Sequence, residues 1–135
     1  MPSKVFYGSA RQAQLIAKET LPAKLELILE QLHLRDRVKD EVVAVKMHTG
    51  NNMGYSTIHP VFVRRVIQAI KDGGGKPFVV DVNWDAEGAE QRGYSSETLG
   101  CPVYPSAGVH EKYFYTHERP YKSIQHWKVA GMIQD

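Results

Sequence analysis

The 135-residue sequence contains very little cysteine, with Cys101 as its one thiol. A single cysteine cannot form a disulfide within the chain, and an iron–sulfur cluster usually takes four thiolates. A disulfide-stabilised secreted fold is therefore excluded. Any iron–sulfur cluster associated with this protein is expected to lie on another chain.

Long apolar runs are also missing. No stretch reaches the 18 consecutive apolar residues that indicate a transmembrane helix, and residues 1–5 lack the apolar region of a secretory signal peptide. These absences predict a cytoplasmic protein that does not act on a membrane.

Charge of one sign is not concentrated anywhere in the chain. Lys and Arg number 17 against 15 Asp and Glu, and the basic residues are scattered, so a nucleic-acid partner is not expected. Hydrophobic residues make up 42% and charged residues 24%, which is typical of soluble globular proteins. This length and composition predict one domain spanning residues 1–135.

Hydrophobic periodicity predicts two helices and two strands. A helix over 21–34 has Thr20 as its N-cap, and a second helix begins at Pro60 and ends at three glycines, residues 73–75. Continuous apolar runs at 41–48 and 76–82 predict strands that are buried on both faces. Weaker patterns favour a helix at 10–18 and strands at 101–104 and 113–115.

Strand, helix and strand follow one another within about 40 residues, which is typical of a βαβ unit. The sequence therefore predicts an α/β fold with an open, mainly parallel, three-layer sheet built from βαβ units. In such sheets, ligands bind beyond the carboxyl ends of the strands, where loops and helix N-termini converge. We expect the functional site at that edge.

The segment after the first strand, residues 46–59, is rich in polar residues and glycine. Its glycines allow backbone N–H groups to point inward, so an anion such as phosphate or carboxylate could bind there. An equally good interpretation is a long connection whose polar side chains satisfy its own backbone. The candidate ligand-binding residues are Gly50, Asn51, Asn52, Gly54, Ser56 and Thr57.

Imidazoles and carboxylates near the strand ends suggest a divalent metal as a second option. The candidate ligands are His48, His59 and His110, with Asp81 and Asp85 nearby in the predicted fold. Their spacing matches no known zinc motif. His59, which precedes Pro60, is explained as simply by a helix N-cap, and His110 by a surface loop.

Lys46 is the strongest single candidate for catalysis or anion binding, because it ends an otherwise apolar strand. A buried ammonium would need a partner or a lowered pKa, whereas a side chain that leaves the sheet edge would reach water. We group Lys46 with His48 and Asp81 as the candidate catalytic residues. Cys101, flanked by Gly100 and Pro102, is interpreted as a packed side chain.

Several short motifs resemble the amino-terminal part of the domain of unknown function 362 family. In order along the chain they are Val45-Lys46-Met47-His48-Thr49-Gly50, Gly54-Tyr55-Ser56-Thr57-Ile58-His59-Pro60, Gly74-Gly75-Lys76-Pro77-Phe78-Val79-Val80-Asp81, Cys101-Pro102-Val103-Tyr104-Pro105, Glu111-Lys112-Tyr113-Phe114 and Trp127-Lys128-Val129-Ala130-Gly131.

The resemblance implies site positions at Lys46, His48, Gly50, His59 and Asp81, but no mechanism. It also implies a redox-linked protein associated with iron–sulfur centres, of which this chain is an incomplete domain. Typical members continue into a second half and a ferredoxin-like cysteine module. The implied partner is therefore such a module or a second subunit. The alternative is a non-catalytic assembly module that docks through its apolar residues 127–133.

Overall fold

The computed structural model describes residues 2–50, 56–81, 86–120 and 122–135. A 3-10 helix at Ala17–Glu19 precedes the regular elements, which contain six α-helices and five β-strands in the described ranges. The order is α1 (Leu21–Gln31), α2 (Arg35–Val38), β1 (Val42–Lys46), α3 (Pro60–Asp72), β2 (Lys76–Asp81), α4 (Ala86–Gln91), α5 (Ser96–Leu99), β3 (Val103–Pro105), β4 (Phe114–His117), β5 (Trp127–Ala130) and α6 (Gly131–Gln134).

The first three strands form one parallel sheet in the order β1-β2-β3. Lys46 lies opposite Val80 in the register of β1 and β2, and Asp81 lies opposite Pro105 in that of β2 and β3. The carboxyl ends of the three strands therefore share one edge. This arrangement confirms the predicted βαβ unit and the open α/β fold.

Helix α3 connects β1 to β2 and covers one face of the sheet. Pro60 suits its first turn, and Nδ1 of His59 accepts a hydrogen bond from the N–H of Val61 at 3.2 Å, as an N-cap does. The helix ends at glycines, as predicted, and Gly74 has a φ of +88° that other residues adopt reluctantly. Together with α4, α5 and the sheet, α3 encloses a core formed by Val63, Ile67, Val79, Ala89, Tyr94, Leu99 and Cys101.

Helix α1 packs on the outer side of α3. Its N-cap is Thr20, as predicted, but it ends at Gln31 instead of residue 34. His33 adopts a left-handed φ of +49°, which turns the chain into the short helix α2. Leu29 and Val38 are buried in this layer.

Strand β1 corrects one expectation, because it is not buried on both faces. Val43 and Val45 are half-buried on the side of α3, while Val42 is 68% exposed on the other side. The reason is its position: β1 is an edge strand, and α6 covers the second face of the sheet only in part. By contrast, β2 is central and largely buried, as predicted.

The outward face of the sheet is a groove with a volume of about 450 Å³. Its apolar lining includes Val42, Phe78, Tyr104 and Ile133. The rings of Phe78 and Tyr104 lie 6.1 Å apart and are tilted against each other. We call this surface the outward groove.

Strands β4 and β5 form a separate antiparallel pair next to α6. The predicted strands at 101–104 and 113–115 are therefore present with shifted bounds, as β3 and β4. The predicted helix at 10–18 is wrong, because only the 3-10 helix forms near that segment, which has no apolar stripe to bury. None of the helices in the described ranges combines the length and apolar character required to cross a membrane.

Candidate functional site

A buried carboxylate lies at the shared edge of β1 and β2. Asp81 is 3% exposed, and its Oδ1 accepts a hydrogen bond from Nζ of Lys46 at 2.8 Å. Its Oδ2 accepts hydrogen bonds from the backbone N–H of Thr49 at 2.8 Å and from the Thr49 hydroxyl at 3.1 Å. Nδ1 of His48 lies 3.4 Å from the same oxygen. The sheet therefore brings together all three predicted catalytic candidates.

The surroundings of Asp81 keep it ionised. Burial by itself would raise the pKa of the carboxyl group, because it disfavours the charged form. The hydrogen bonds from Lys46 and Thr49 and the charge of Lys46 outweigh burial, so the pKa of Asp81 lies below its usual value of 3.8. Asp81 therefore acts as a fixed negative acceptor and not as a proton donor at neutral pH.

His48 and Lys46 reach from this buried carboxylate towards solvent. The His48 side chain is 63% exposed and the Lys46 side chain 45%, against 5% for Asp81. Both alternatives considered for Lys46 are therefore partly right, since it has a partner and also reaches water. An ionised carboxylate only accepts hydrogen bonds, so a bond to His48 requires the proton on Nδ1. Nε2 of the neutral ring then carries the lone pair, as required of a base or a ligand-binding nitrogen.

Arg92 and Tyr94 are part of the site architecture, although sequence reasoning missed them. Nε of Arg92 donates a hydrogen bond to the carbonyl of Thr49 at 2.9 Å, and Nη2 donates one to the carbonyl of Gly50 at 2.5 Å. The Tyr94 hydroxyl donates a hydrogen bond to the carbonyl of Ile58. These two residues follow α4, in a polar stretch without a motif, so no signal in the sequence identified them.

The structure describes three of the predicted ligand-binding residues, Gly50, Ser56 and Thr57. Gly50 is buried with a φ of +77°, in agreement with the glycine preference at this position. Ser56 is exposed and Thr57 half-buried, just before α3. The remaining candidates, together with Asp85, lie outside the described residues; they are Asn51, Asn52 and Gly54.

The proposed metal ligands do not form a recognisable cluster. His59 uses Nδ1 to cap α3, and His110 is exposed in the turn after β3. Across residues 2–50, 56–81, 86–120 and 122–135, no group of three His, Cys, Asp or Glu side chains is arranged to hold a metal ion. A divalent metal at His48, His59 and His110 stays a prediction.

Cys101 does not fit an iron–sulfur cluster. It is the one cysteine of the sequence, and it is buried in the core at 5% exposure. Burial raises the pKa of its thiol, although the nearby charge of Lys71 acts in the opposite direction. A cluster usually takes four thiolates, and the sequence supplies this one buried thiol. The interpretation of Cys101 as a packed side chain is confirmed.

Fold and site together define an open parallel α/β protein with a buried carboxylate at the carboxyl ends of its strands. A family model described as Domain of unknown function (DUF362) matches residues 43–135, which is more than half of the sequence. The chain therefore belongs to this family, as the sequence motifs indicated. No curated protein and no solved structure matches the chain.

Proposed function

We propose that the strand-end site binds a small anion through Lys46 and His48, and that the chain is the ligand-binding part of a redox-linked, iron–sulfur-associated protein. The observation that carries the proposal is the arrangement around Asp81. A buried carboxylate fixes one cation and one imidazole side by side, while both remain accessible to solvent.

The geometry suits an anion because the negatively charged carboxylate of Asp81 is buried and not exposed to solvent. Its oxygens are engaged by Lys46 and Thr49, so the carboxylate does not repel an incoming anion at close range, and the outward group next to it is the ammonium donor of Lys46. Lys46 supplies a compact charge that is a common partner of phosphate. His48 adds either a hydrogen-bond donor or a base, depending on its protonation state.

The redox association rests on what the resemblance of the sequence motifs to this family implies. Because Cys101 does not fit a cluster, the redox centre would be supplied by a ferredoxin-like module or a second subunit. A ligand bound at Lys46 and His48 would then be held by this chain near a centre carried by the partner.

Inorganic phosphate is a suitable probe for this proposal. We expect saturable changes in the NMR signals of the His48 ring as phosphate is added. Lys46→Met and His48→Gln should each weaken binding about tenfold, the loss expected when one charge-assisted hydrogen bond is removed. Two exposed positions away from the site provide matched controls, Lys18→Met and His126→Gln, which should leave the affinity unchanged.

Two results would contradict anion binding. One is the absence of any saturable response of His48 to phosphate or sulfate. The other is stoichiometric zinc, iron or nickel in the purified protein that disappears in His48→Ala, which would assign the site to a metal instead.

The outward groove favours a second candidate function, docking on a partner that completes the domain. Tyr104 is 42% exposed and Ile133 is 44% exposed, whereas apolar side chains of a sheet face are usually covered. Val42→Glu and Ile133→Glu should abolish co-purification of a stoichiometric partner from the native source and leave phosphate binding intact. Leu15→Glu is the control, since Leu15 is 97% exposed and lies outside the groove.

A further inference from the structure

The connection between β1 and α3 is bonded at both of its ends to the same short segment. Arg92 donates hydrogen bonds to the carbonyls of Thr49 and Gly50, before the connection. Tyr94 donates one to the carbonyl of Ile58, after it. We call residues 92–94 the loop anchor.

The loop anchor is itself firmly placed. Tyr94 is 1% exposed and belongs to the core beneath α3. Gly93 has a φ of +84°, and a Cβ at this position would lie 3.3 Å from Cγ of Pro60, so the turn fits closely against the start of α3. A side chain that extends from such a segment can hold a neighbouring backbone with little motion.

Arg92 reaches the anion site through Thr49. The carbonyl of Thr49 accepts from Arg92, while the N–H and the hydroxyl of the same residue donate to Asp81. The carbonyl and the N–H of Thr49 belong to two planar peptide groups joined at its Cα, so once the carbonyl is held only the φ and ψ of Thr49 can move the N–H away from Asp81. Asp81 in turn orients His48.

We propose that Arg92 is a positioning residue of the strand-end site. Its guanidinium holds Thr49 and Gly50 so that Asp81 keeps the ring of His48 in one tautomer and one orientation. A guanidinium suits this task because its planar array of N–H donors can bond two adjacent carbonyls at once, which an ammonium does less well. The ligand-related part of this inference rests on the proposed anion binding, but the tautomer of His48 does not.

The experiment compares Arg92→Met with the wild-type protein. Nitrogen-15 NMR of the His48 ring measures its tautomer, and phosphate titration measures affinity. We expect a mixture of tautomers in the variant and about tenfold weaker phosphate binding, the same loss as for His48→Gln, because the His48 ring is then no longer held in one orientation. Both should recover when guanidinium is added at concentrations far below those that unfold proteins, but not with equal ammonium. Arg64→Met, which changes an exposed arginine on α3, is the control and should behave like the wild type.

The other outcomes are also decisive. Unchanged tautomer and unchanged affinity in Arg92→Met would overturn the proposal. Weaker phosphate binding with an unchanged tautomer would also overturn it, because Arg92 would then contact the anion directly. If Arg92→Met changes the tautomer of His48 while the wild-type protein binds no phosphate, the proposed function is refuted and the positioning role is supported.

If Arg92→Met does not fold, Arg92→Lys provides a second test of the positioning role. Lysine retains the charge, but its donors all radiate from one nitrogen, so it cannot reproduce the spacing at which Nε and Nη2 of Arg92 bond the two carbonyls. We expect an intermediate tautomer mixture in this variant. A wild-type tautomer would show that the second carbonyl contact has no positioning effect and would contradict the proposal.

Discussion

Lys46 and Asp81 form an ion pair with 2.8 Å between Nζ and Oδ1, although 35 positions separate them in the sequence. The pair exists because β1 and β2 are adjacent and parallel, so that Asp81 extends one residue beyond the partner of Lys46. The site therefore forms only when the βαβ unit is folded, because the crossover through α3 is what places β1 and β2 side by side.

The stability of the protein should depend on pH through Asp81. The pKa of this carboxyl group is lowered in the folded state, so its ionised form stabilises the fold above the usual value of 3.8. That contribution is lost as the pH falls through the folded pKa. We expect Asp81→Asn to lower the free energy of unfolding by about 2 kcal/mol at neutral pH. The difference from wild type should shrink below about pH 4.

Urea unfolding between about pH 2.5 and 7 measures this difference across the transition. Glu90→Gln is the control, since Glu90 is exposed on α4 and its replacement should cost little at any pH. A gap between wild type and Asp81→Asn that stays constant down to the lowest pH would contradict the role given to the ionised carboxylate.

The N-cap of α3 should be measurable at His59. His59→Ala removes the acceptor for the N–H of Val61 and should cost about 1 kcal/mol of unfolding free energy. His59→Asn should recover most of the loss, because asparagine is among the best N-cap residues. Chemical denaturation of the three proteins tests this, and equal losses in both variants would mean that His59 stabilises the fold by another contact.

Gly131 should not tolerate a side chain. A Cβ at this position would overlap the ring of Tyr113, whose hydroxyl donates a hydrogen bond to Asp135. Gly131→Ala should therefore lower the unfolding free energy by about 1–3 kcal/mol, the usual cost of overpacking. Gly8→Ala is the matched control, because a Cβ there would lie 3.4 Å from its nearest neighbour, at ordinary contact distance. Thermal unfolding measures both variants: the melting temperature should fall for Gly131→Ala and stay close to that of the wild type for Gly8→Ala.

Cys101 should react slowly with thiol reagents in the folded protein. Its burial in the core blocks access and raises the pKa of the thiol, so little reactive thiolate is present. We expect modification by a disulfide reagent to follow the unfolding curve as denaturant is added. The signal comes from one position, since the chain has no other cysteine. Rapid modification without denaturant would contradict the core position.

Periodicity predicted the part of the fold in which local and tertiary preferences agree. The helix after Pro60 has an apolar side, an N-cap and a glycine stop, and all three correspond to features of α3. Strand β1 shows the limit of this reasoning. Its continuous apolar run indicated burial on both faces, but the cover of the second face depends on which elements pack there, and α6 leaves Val42 exposed.

The candidate site was predictable where the topology determines it. Parallel strands place their carboxyl ends together, so grouping Lys46, His48 and Asp81 required only the order of the elements. Arg92 and Tyr94 were not predictable, because they bond backbone carbonyls of a distant segment. A main-chain acceptor is the same at every position, so the sequence contains no pattern that identifies it.

The packing of α1 and α2 on α3 affects where the domain boundary falls. The family match begins at residue 43, yet a Cβ on Gly75 would lie only 2.9 Å from the carbonyl oxygen of Val38, and Arg65 of α3 forms an ion pair with Glu26 at 2.7 Å. A chain begun at residue 43 would remove Leu29 and Val38 and leave the outer side of the crossover helix without its cover. We therefore expect residues 21–42 to fold together with the matched region, and a chain begun at residue 43 to be less stable than the full sequence.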